Sequence, residues 1–342
     1  MITLEDIARQ AGVSHSTVSR ALADSPLVNP ETKKRIQLLA SAAGYQVNQV
    51  ARNLKVKSTR TIGLIVPEVS NPYYPTLVQL VADHARQAGY NLQLQLSGTQ
   101  QENEALCVAS LREQRADGIL LVTAEQGLVA REQVTALRAA GVPVVLMGWV
   151  EGADGFDLVT GDDALGGYAL ARHLLALGHQ RIAVLGKPPH RGRYDRLHGF
   201  QQALDEAGVA LPDALHLPLT DAADVEDRVA QLLALPKRPT AIFAYQDSLA
   251  ALVMGQLTRA GLALPQQMTV VGYDNLDLAT YVFPPLTTVG EHIGPLADAF
   301  VRLLIGRIQK TAPDSPQHVI VVPRLVVRSS CGPPYNQTQG EN

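Results

Sequence analysis

Cysteine is scarce in this sequence, which holds only Cys107 and Cys331 among its 342 residues. Two thiols so far apart along the chain provide neither the ligand spacing of a zinc site nor a disulfide framework. We interpret Cys107 as a small buried side chain and Cys331 as a thiol of the final segment. The sequence therefore predicts no bound metal, and nothing in it points to a cofactor.

Long hydrophobic runs are also missing from the sequence. No window approaches the roughly 18 uninterrupted apolar residues that a membrane-spanning helix needs. Residues 1–6 lack the basic stretch followed by an apolar one that marks a secretory signal. We therefore expect a cytoplasmic protein without a membrane partner.

The usual signatures of catalysis are absent too. Asp, His and Ser are scattered, without a nucleophile elbow, a phosphate-binding loop or metal-ligand spacing. We therefore predict that the protein is not an enzyme.

The composition of the chain, with 46% hydrophobic and 18% charged residues, is that of a globular protein able to build large cores. A length of 342 residues predicts two or three domains.

Positive charge is concentrated at the start of the chain. Residues 1–60 carry nine basic and four acidic side chains, a net charge of +5, whereas the remaining residues carry −8. A basic head on an acidic body indicates that only the head meets a polyanion.

Three short helices are predicted in the basic head, with N-caps at Thr3, Ser14 and Asn29 and a left-handed glycine, Gly12, after the first.

The first two predicted helices have the form of a helix-turn-helix motif. The second helix would lie in a major groove, where base edges carry a unique pattern of donors and acceptors. We interpret His15 and Ser16 as base readers, Thr17 and Ser19 as phosphate contacts, and Arg20 as a contact to a guanine or a phosphate. A three-helix unit without this role stays open from the pattern alone. The predicted DNA contacts of the head are Thr3, Ser14, His15, Ser16, Thr17, Ser19, Arg20 and Asn29.

Beyond residue 60 the sequence alternates between strands and helices. Apolar runs indicate buried parallel strands at residues 61–67, 118–122, 142–147, 182–185, 241–244, 270–272 and 319–327. Helical patterns lie at residues 77–88, 102–115, 165–177 and 248–260. The alternation predicts doubly wound sheets. About ten strands are many for one sheet, so two α/β lobes are expected.

Several motifs occur together in an order and spacing typical of one family. They include TLEDIA at 3–8, AGVS at 11–14, TVSRAL at 17–22, IGLIVP at 62–67, NPYY at 71–74, GHQRI at 178–182, RLHGF at 196–200, GYDN at 272–275 and PLTTV at 285–289. Along nearly its whole length the chain resembles the LacI/GalR family of repressors, and so many independent motifs make the match specific. The resemblance implies an N-terminal all-α helix-turn-helix head and an α/β two-lobed sensor domain like that of periplasmic binding proteins.

The resemblance also implies domain boundaries. It gives a DNA-binding domain at 1–46, a hinge helix and linker at 47–60, an effector-binding domain at 61–328 and a tail at 329–342, which we expect to be disordered. The N-lobe would hold residues 61–160 and 291–321 approximately, and the C-lobe 162–289 and 324–328.

In this family the linker forms a short hinge helix on DNA, which here would run from Asn48 to Lys55. Eight residues make a marginal helix in water, so we expect it to order only on DNA and beside its dimer mate. Leu54 would wedge between base pairs of the minor groove; without the resemblance it would be a solvated linker residue. Val47 stands where the family usually has proline, which leaves the start of the hinge looser. The implied hinge contacts are Asn48, Ala51, Leu54 and Lys55.

The resemblance places an effector between the lobes, at the C-terminal ends of the strands. Tyr73 and Tyr74 would stack on it or pack in the core. Arg196 would donate two hydrogen bonds to it or form a surface salt bridge, and Asp274 would accept from two ring hydroxyls or cap a helix. Trp149 would stack on a sugar or pack in the core. The remaining implied contacts are Gln246, Asp247 and Glu291.

The effector is expected to be a sugar or sugar derivative. A basic loop adds an alternative, because several cations facing a cleft suit a sugar acid or sugar phosphate. Its residues are Lys187, His190, Arg191, Arg193 and Arg196. The resemblance implies a repressor that binds a pseudo-palindromic operator in double-stranded DNA as a homodimer. A transport receptor, the other class with this sensor fold, would need export and would not carry a DNA-binding head.

Overall fold

The computed structural model describes residues 2–22, 24–44, 58–98, 101–123, 131–148, 153–186, 196–219, 222–290 and 293–334. The chain divides into two compact units, Met1–Thr59 and Arg60–Asn342. The first is all-α and the second is α/β with two main sheets, so the predicted fold class is confirmed. None of the helices among the described residues combines the length and the apolar character of a membrane span.

The first unit contains helices α1 (Leu4–Ala11), α2 (His15–Leu22) and α3 (Pro30–Ala42). Thr3 and Asp6 form a capping box at the start of α1, and Gly12 ends that helix with a φ of 63°. Asn29 caps α3 by accepting a hydrogen bond from the Glu31 amide. The core is formed by fully buried side chains from each helix, among them Ile7, Val18 and Ile36.

The N-lobe of the second unit is built on six parallel strands in the order β11-β5-β4-β3-β1-β2. Their bounds are β1 Thr61–Val66, β2 Asn91–Leu96, β3 Gly118–Val122, β4 Val144–Met147, β5 Asp157–Gly161 and β11 His318–Val321. Helices α4 (Tyr73–Gln87) and α12 (Ile293–Ile308) cover one face, and α5 (Gln101–Glu113) and α6 (Arg131–Ala139) cover the other.

The C-lobe is built on four parallel strands in the order β7-β6-β8-β9. The strands are β6 Ile182–Gly186, β7 His216–Pro218, β8 Ala241–Ala244 and β9 Thr269–Val271. Helices α7 (Asp163–Ala176) and α8 (Arg196–Glu206) pack on one face. Helices α9 (Val225–Leu233), α10 (Asp247–Arg259) and the short α11 (Leu278–Tyr281) pack on the other.

The end of the chain differs from its sequence prediction in two ways. The predicted strand 319–327 is two strands, β11 in the six-stranded sheet and β12 (Arg324–Val326), which pairs antiparallel with β10 (Thr288–Gly290). Pro323, which lies between them, cannot donate to a strand ladder. Residues 329–334 were predicted to be disordered, but in the structure they pack against the C-lobe, and Ser330 is fully buried. Its hydroxyl donates to the Val270 carbonyl and accepts from the Thr287 amide.

Candidate functional site

Helix α2 presents a polar face opposite its buried face. His15, Ser16 and Arg20 are exposed, whereas Val18 and Ala21 are buried in the core of the head. Ser16 and Arg20 are four residues apart, so they lie on the same side of the helix. Thr17 and Ser19 are half-buried beside this face. The structure therefore puts the predicted base readers on an accessible helical surface.

Three predicted DNA contacts are also the N-caps of the helices. The Ser14 hydroxyl accepts from the Thr17 amide at 3.2 Å and lies 2.8 Å from the hydroxyls of Ser16 and Thr17. Thr3 Oγ1 is engaged by Asp6 at the start of α1, and Asn29 Oδ1 by the Glu31 amide at the start of α3. These side chains fix the starts of the helices, and Ser14 in addition positions the hydroxyls of two predicted contacts.

Several predicted site residues lie outside the part of the chain that the structure describes. They are the hinge residues Asn48, Ala51, Leu54 and Lys55, the cleft residues Trp149 and Glu291, and the basic-loop residues Lys187, His190, Arg191 and Arg193. The other predicted effector contacts are described. Asp247 and Asp274 follow the C-terminal ends of β8 and β9, where parallel-sheet folds place their ligands.

Arg196, the first residue of α8, is the centre of a buried polar cluster. Its side chain is only 13% exposed. Nη2 donates to Asp163 Oδ2 at 3.0 Å, and Nη1 donates to the Tyr245 carbonyl at 2.7 Å and faces Asp274 Oδ1 at 3.4 Å. The guanidinium carbon lies 3.7 Å from the centre of the Tyr273 ring, a cation–π contact. Arg196 is therefore a buried residue with several partners and does not form a surface salt bridge.

Two glycines allow Arg196 to reach this position. A Cβ at Gly199 on α8 would lie 2.5 Å from the carbonyl carbon of Ala164, and a Cβ at Gly167 on α7 would lie 2.6 Å from that of Arg196. The two helices therefore meet backbone against backbone. This close crossing brings Arg196 beside Asp163, the first residue of α7.

Asp274 lies in a strained turn and is 5% exposed. Its φ is 105° and that of Asn275 is 49°, a region that residues other than glycine rarely occupy. Burial raises the pKa of Asp274 to about 7, and the neighbouring carboxylates of Asp247 and Asp163 add to the rise against the opposing effect of Arg196. Strained backbone and a carboxyl group that titrates near neutrality are features of functional sites.

Asp247, predicted as an effector contact, is fully buried beneath this turn. Its Oδ2 accepts from the Leu276 amide at 2.8 Å and its Oδ1 from the Thr288 hydroxyl at 2.6 Å. Burial raises its pKa to about 6 despite both hydrogen bonds. Each carboxylate oxygen thus has a partner within the protein, and Asp247 supports the turn from below.

The N-lobe meets this cluster through residues at the start of α4. Asn71 Nδ2 lies 3.3 Å from Gln246 Oε1 of the C-lobe, a bond between the lobes. Tyr73 and Tyr74 are half-buried against the N-lobe core, with their rings 5.5 Å apart and edge to face. Burial raises the pKa of Tyr73, and the carboxylates of Asp274 and Asp163 raise it further.

Sequence reasoning missed three members of the Arg196 cluster: Asp163, Tyr245 and Tyr273. Asp163 directly follows Asp162, which caps α7 by accepting from the Leu165 amide, so a second acidic residue there resembles an ordinary first-turn preference. Tyr245 contributes its carbonyl, a group that a sequence cannot single out.

Among the described residues, no cluster of three or more His, Cys, Asp and Glu side chains is arranged to hold a metal ion.

Comparisons with known proteins agree on what this architecture is. The family model for bacterial regulatory proteins of the lacI family matches residues 3–48, and the model for the periplasmic binding protein-like domain matches residues 171–331. The Ribose operon repressor of Escherichia coli (strain K12) is 33% identical over 96% of this chain and 100% of its own length. The chain belongs to the lacI family.

Other members of the lacI family match over a similar length. The HTH-type transcriptional repressor PurR of Vibrio atlanticus is 31% identical over 96% of this chain and 98% of its own. The solved structure of the Lac repressor dimer bound to operator and the anti-inducer ONPF is 25% identical over 96% and 98% of the two chains, with a TM-score of 0.85. This lacI-family chain is a transcription regulator with a DNA-binding head and an effector-binding domain.

Proposed function

We propose that this lacI-family regulator is a repressor that binds a pseudo-palindromic operator as a dimer under the control of a sugar or sugar derivative. The observation that carries the proposal is the accessible polar face of α2, on which Ser16 and Arg20 lie side by side while Val18 and Ala21 fill the core. Such a face is what a recognition helix presents to base edges. Regulation of this kind needs binding alone, so we propose no catalytic role, and we place the protein in the cytoplasm.

The charges of the Arg196 cluster favour a neutral, hydroxyl-rich effector. Arg196 is already engaged by Asp163, Asp274 and the Tyr245 carbonyl, so its guanidinium is neutralised before any effector arrives. Both Asp163 oxygens accept hydrogen bonds within the protein, from Arg196 and Tyr273. Asp274, which Arg196 reaches only at 3.4 Å, is the acceptor to which sugar hydroxyls can donate. An anionic effector would meet this negative cluster and would depend on cations from elsewhere, such as the predicted basic loop.

The DNA-binding proposal is tested by replacing Arg20 with alanine. We expect specific binding to weaken by about 1–3 kcal/mol, which is roughly 5- to 150-fold, because a charged contact to a base or phosphate is lost. Fluorescence anisotropy on fragments of the promoter region, against random duplex of equal length and at several salt concentrations, measures the effect. A salt slope reduced by about one indicates a phosphate contact, and an unchanged slope with relaxed sequence preference indicates a guanine contact.

Arg112→Ala on α5 is the matched control, since it removes an exposed arginine from the effector-binding unit. It should leave operator affinity unchanged. If the wild-type chain prefers no promoter fragment over random duplex, the proposed function is wrong. If Arg20→Ala and Arg112→Ala bind equally well, α2 is not the reading helix.

A dimer is supported by apolar side chains exposed on the C-lobe. Leu252 of α10, Tyr281 of α11 and Phe283 are 46%, 79% and 90% exposed. Apolar surface of this kind marks an interaction site. We assign it to a second copy of this chain, because the Lac repressor, which matches over 96% of this chain, is a dimer in its solved structure.

Phe283→Asp is expected to weaken the dimer by about 2–4 kcal/mol, which is roughly 30- to 1000-fold, because it places a charge where the proposed dimer interface buries an aromatic anchor. Sedimentation across a concentration series measures the change, and operator binding should weaken in parallel. Ile320→Asp, which alters a 53% exposed side chain of the edge strand β11, should leave the dimer intact. Equal dimer stability in both variants would remove this C-lobe surface from the interface.

A further inference from the structure

The turn formed by residues 274–276 contacts both lobes of the effector-binding unit. Asp274 lies in the C-lobe cluster at 3.4 Å from Arg196 Nη1. Leu276, two residues further on, is 4% exposed and belongs to the apolar core of the N-lobe, together with residues of α4 and α12. Tyr73 and Tyr74 pack against that same core. The turn therefore joins a polar group of the proposed effector site to the packing of the other lobe.

This turn is held as a single piece by hydrogen bonds on several sides. The Leu276 amide donates to Asp247 Oδ2, and the Asn275 amide donates to Thr288 Oγ1 at 3.3 Å. The same Thr288 hydroxyl donates to Asp247 Oδ1. Asp247 is therefore bonded directly to the Leu276 amide and, through Thr288, to the Asn275 amide. From the last segment of the C-lobe, Arg328 Nη2 donates to Asn275 Oδ1 at 2.6 Å.

The backbone of the turn depends on that support. Asp274 and Asn275 are two consecutive non-glycine residues with positive φ, a strained backbone that persists only where the surroundings enforce it. A Cβ at Gly290 would lie 2.7 Å from the Asp274 carbonyl oxygen, so β10 packs directly against the turn. In sequence, β10 is followed by α12 of the N-lobe. The turn therefore contacts a segment through which the chain passes from the C-lobe to the N-lobe, as well as both cores.

We propose that Asp247 is a positioning residue that couples the effector site to the N-lobe by holding Asp274 and Leu276 in one rigid turn. The proposal rests on the proposed role of Asp274 as an effector contact. Displacement of Asp274 by an effector is then passed to Leu276, and so to the side chains around it in the N-lobe core. Packed cores shift between discrete arrangements, which turns a small displacement into a change of state.

Asp247→Asn in the full-length chain tests this coupling without any effector. Asparagine keeps the volume, and its carbonyl oxygen can still accept from the Leu276 amide. The NH2 group that replaces Oδ1 cannot accept the Thr288 hydroxyl hydrogen. The Thr288–Asn275 link is therefore loosened while the fold is kept. Hydrogen–deuterium exchange resolved by peptide should show amides of α4, which belongs to the N-lobe, exchanging about five- to tenfold faster.

Val253→Ala is the control, because Val253 is also a buried residue of α10 but packs only in the C-lobe core. It should speed exchange within the C-lobe and leave α4 unchanged. Thr288→Val provides a second route to the same loosening, and serves if Asp247→Asn fails to fold. In a double-mutant cycle, Asp247→Asn and Leu276→Ala should act on α4 non-additively, since both act through one turn.

The proposal is overturned if Asp247→Asn and Thr288→Val change exchange only in the C-lobe, as Val253→Ala does, or if the cycle is additive. Neither DNA nor effector enters this measurement. Failure here would leave operator recognition standing, and an absence of operator recognition would leave the coupling between lobes standing.

Discussion

Gly199→Ala is expected to unfold the C-lobe or to leave the protein insoluble. A Cβ at this position would lie 2.5 Å from the carbonyl carbon of Ala164 and closer still to its oxygen. These are backbone atoms in the first turn of α7, so no side chain can rotate to make room. The two helices would have to separate, which would open the core that Leu170, Phe200 and Phe243 fill.

The expected loss for Gly199→Ala is above about 4 kcal/mol, in the range reserved for severe overpacking and broken buried networks. Urea unfolding followed by circular dichroism measures the loss, or the soluble fraction where the variant aggregates. Gly255→Ala is the matched control, a helical glycine of α10 with no atom within 4 Å of the added Cβ. There alanine should be neutral or stabilise by up to about 1 kcal/mol. Equal unfolding midpoints for the two variants would contradict the close helix crossing.

The crossing links stability to the site. Gly199 lies three residues after Arg196, and separating α8 from α7 would lengthen the bond between Arg196 and Asp163. Any fraction of Gly199→Ala that still folds should therefore bind the effector more weakly as well. This dependence is not visible in the sequence, where the two glycines lie 32 residues apart and carry no chemistry of their own.

Local signals in the sequence were sufficient for the head and the central strands. The N-caps Thr3 and Asn29 and the left-handed Gly12 depend on residues within four positions, so each could be predicted and each is found. Strands such as β3 and β8 are continuous apolar runs because they are buried on both faces.

Strands with polar residues were missed, each for a definite reason. In β2 leucine alternates with glutamine, because this strand lies at the sheet edge and is largely exposed. In β5 the first residue is Asp157, whose carboxylate oxygens accept from Arg307 at 2.7 Å. That partner is 150 positions away on α12, so the sequence offers no hint that the acidic residue is paired and buried.

The site shows the same division between local and distant causes. Motifs located Arg196 and Asp274, because each stands in a recognisable run of residues. The roles of their neighbours were set by partners far along the chain: Asp163 is 33 positions from Arg196, and Asp247 is 41 positions from Thr288. Whether a carboxylate faces an effector or supports a turn depends on such partners.

Arg196→Met is expected to destabilise the effector-binding unit strongly and to abolish effector binding. Methionine keeps much of the side-chain volume but removes the only guanidinium that the structure shows between Asp163 and Asp274. Breaking a buried ion pair by removing one partner costs about 3–5 kcal/mol, because the remaining charges are uncompensated. Thermal and urea unfolding at pH 8 measure the loss. Arg302→Met, which breaks an exposed pair with Asp298, should cost no more than about 1 kcal/mol.

The pH dependence of Arg196→Met identifies the cause of this loss. In the wild type the pKa of Asp274 is raised from 3.8 to about 7, so the folded state holds a proton that the unfolded state releases. The contribution of this group is therefore fully present below pH 3.8 and is lost as pH rises towards 7. Arg196 opposes the rise of this pKa. Its removal raises the pKa further and extends the loss to higher pH.

Arg196→Met should consequently gain more stability than the wild type when the pH is lowered from about 8 to about 6, since protonation of Asp274 removes one uncompensated charge. Adding Asp274→Asn should restore much of the stability at pH 8 and flatten the pH profile, because the amide has no charge to bury. Effector binding should stay lost, since the acceptor geometry is not recovered. If the double variant is as unstable at pH 8 as Arg196→Met alone, lost packing and not unpaired charge explains the effect, and the buried cluster does not have the electrostatic role assigned to it.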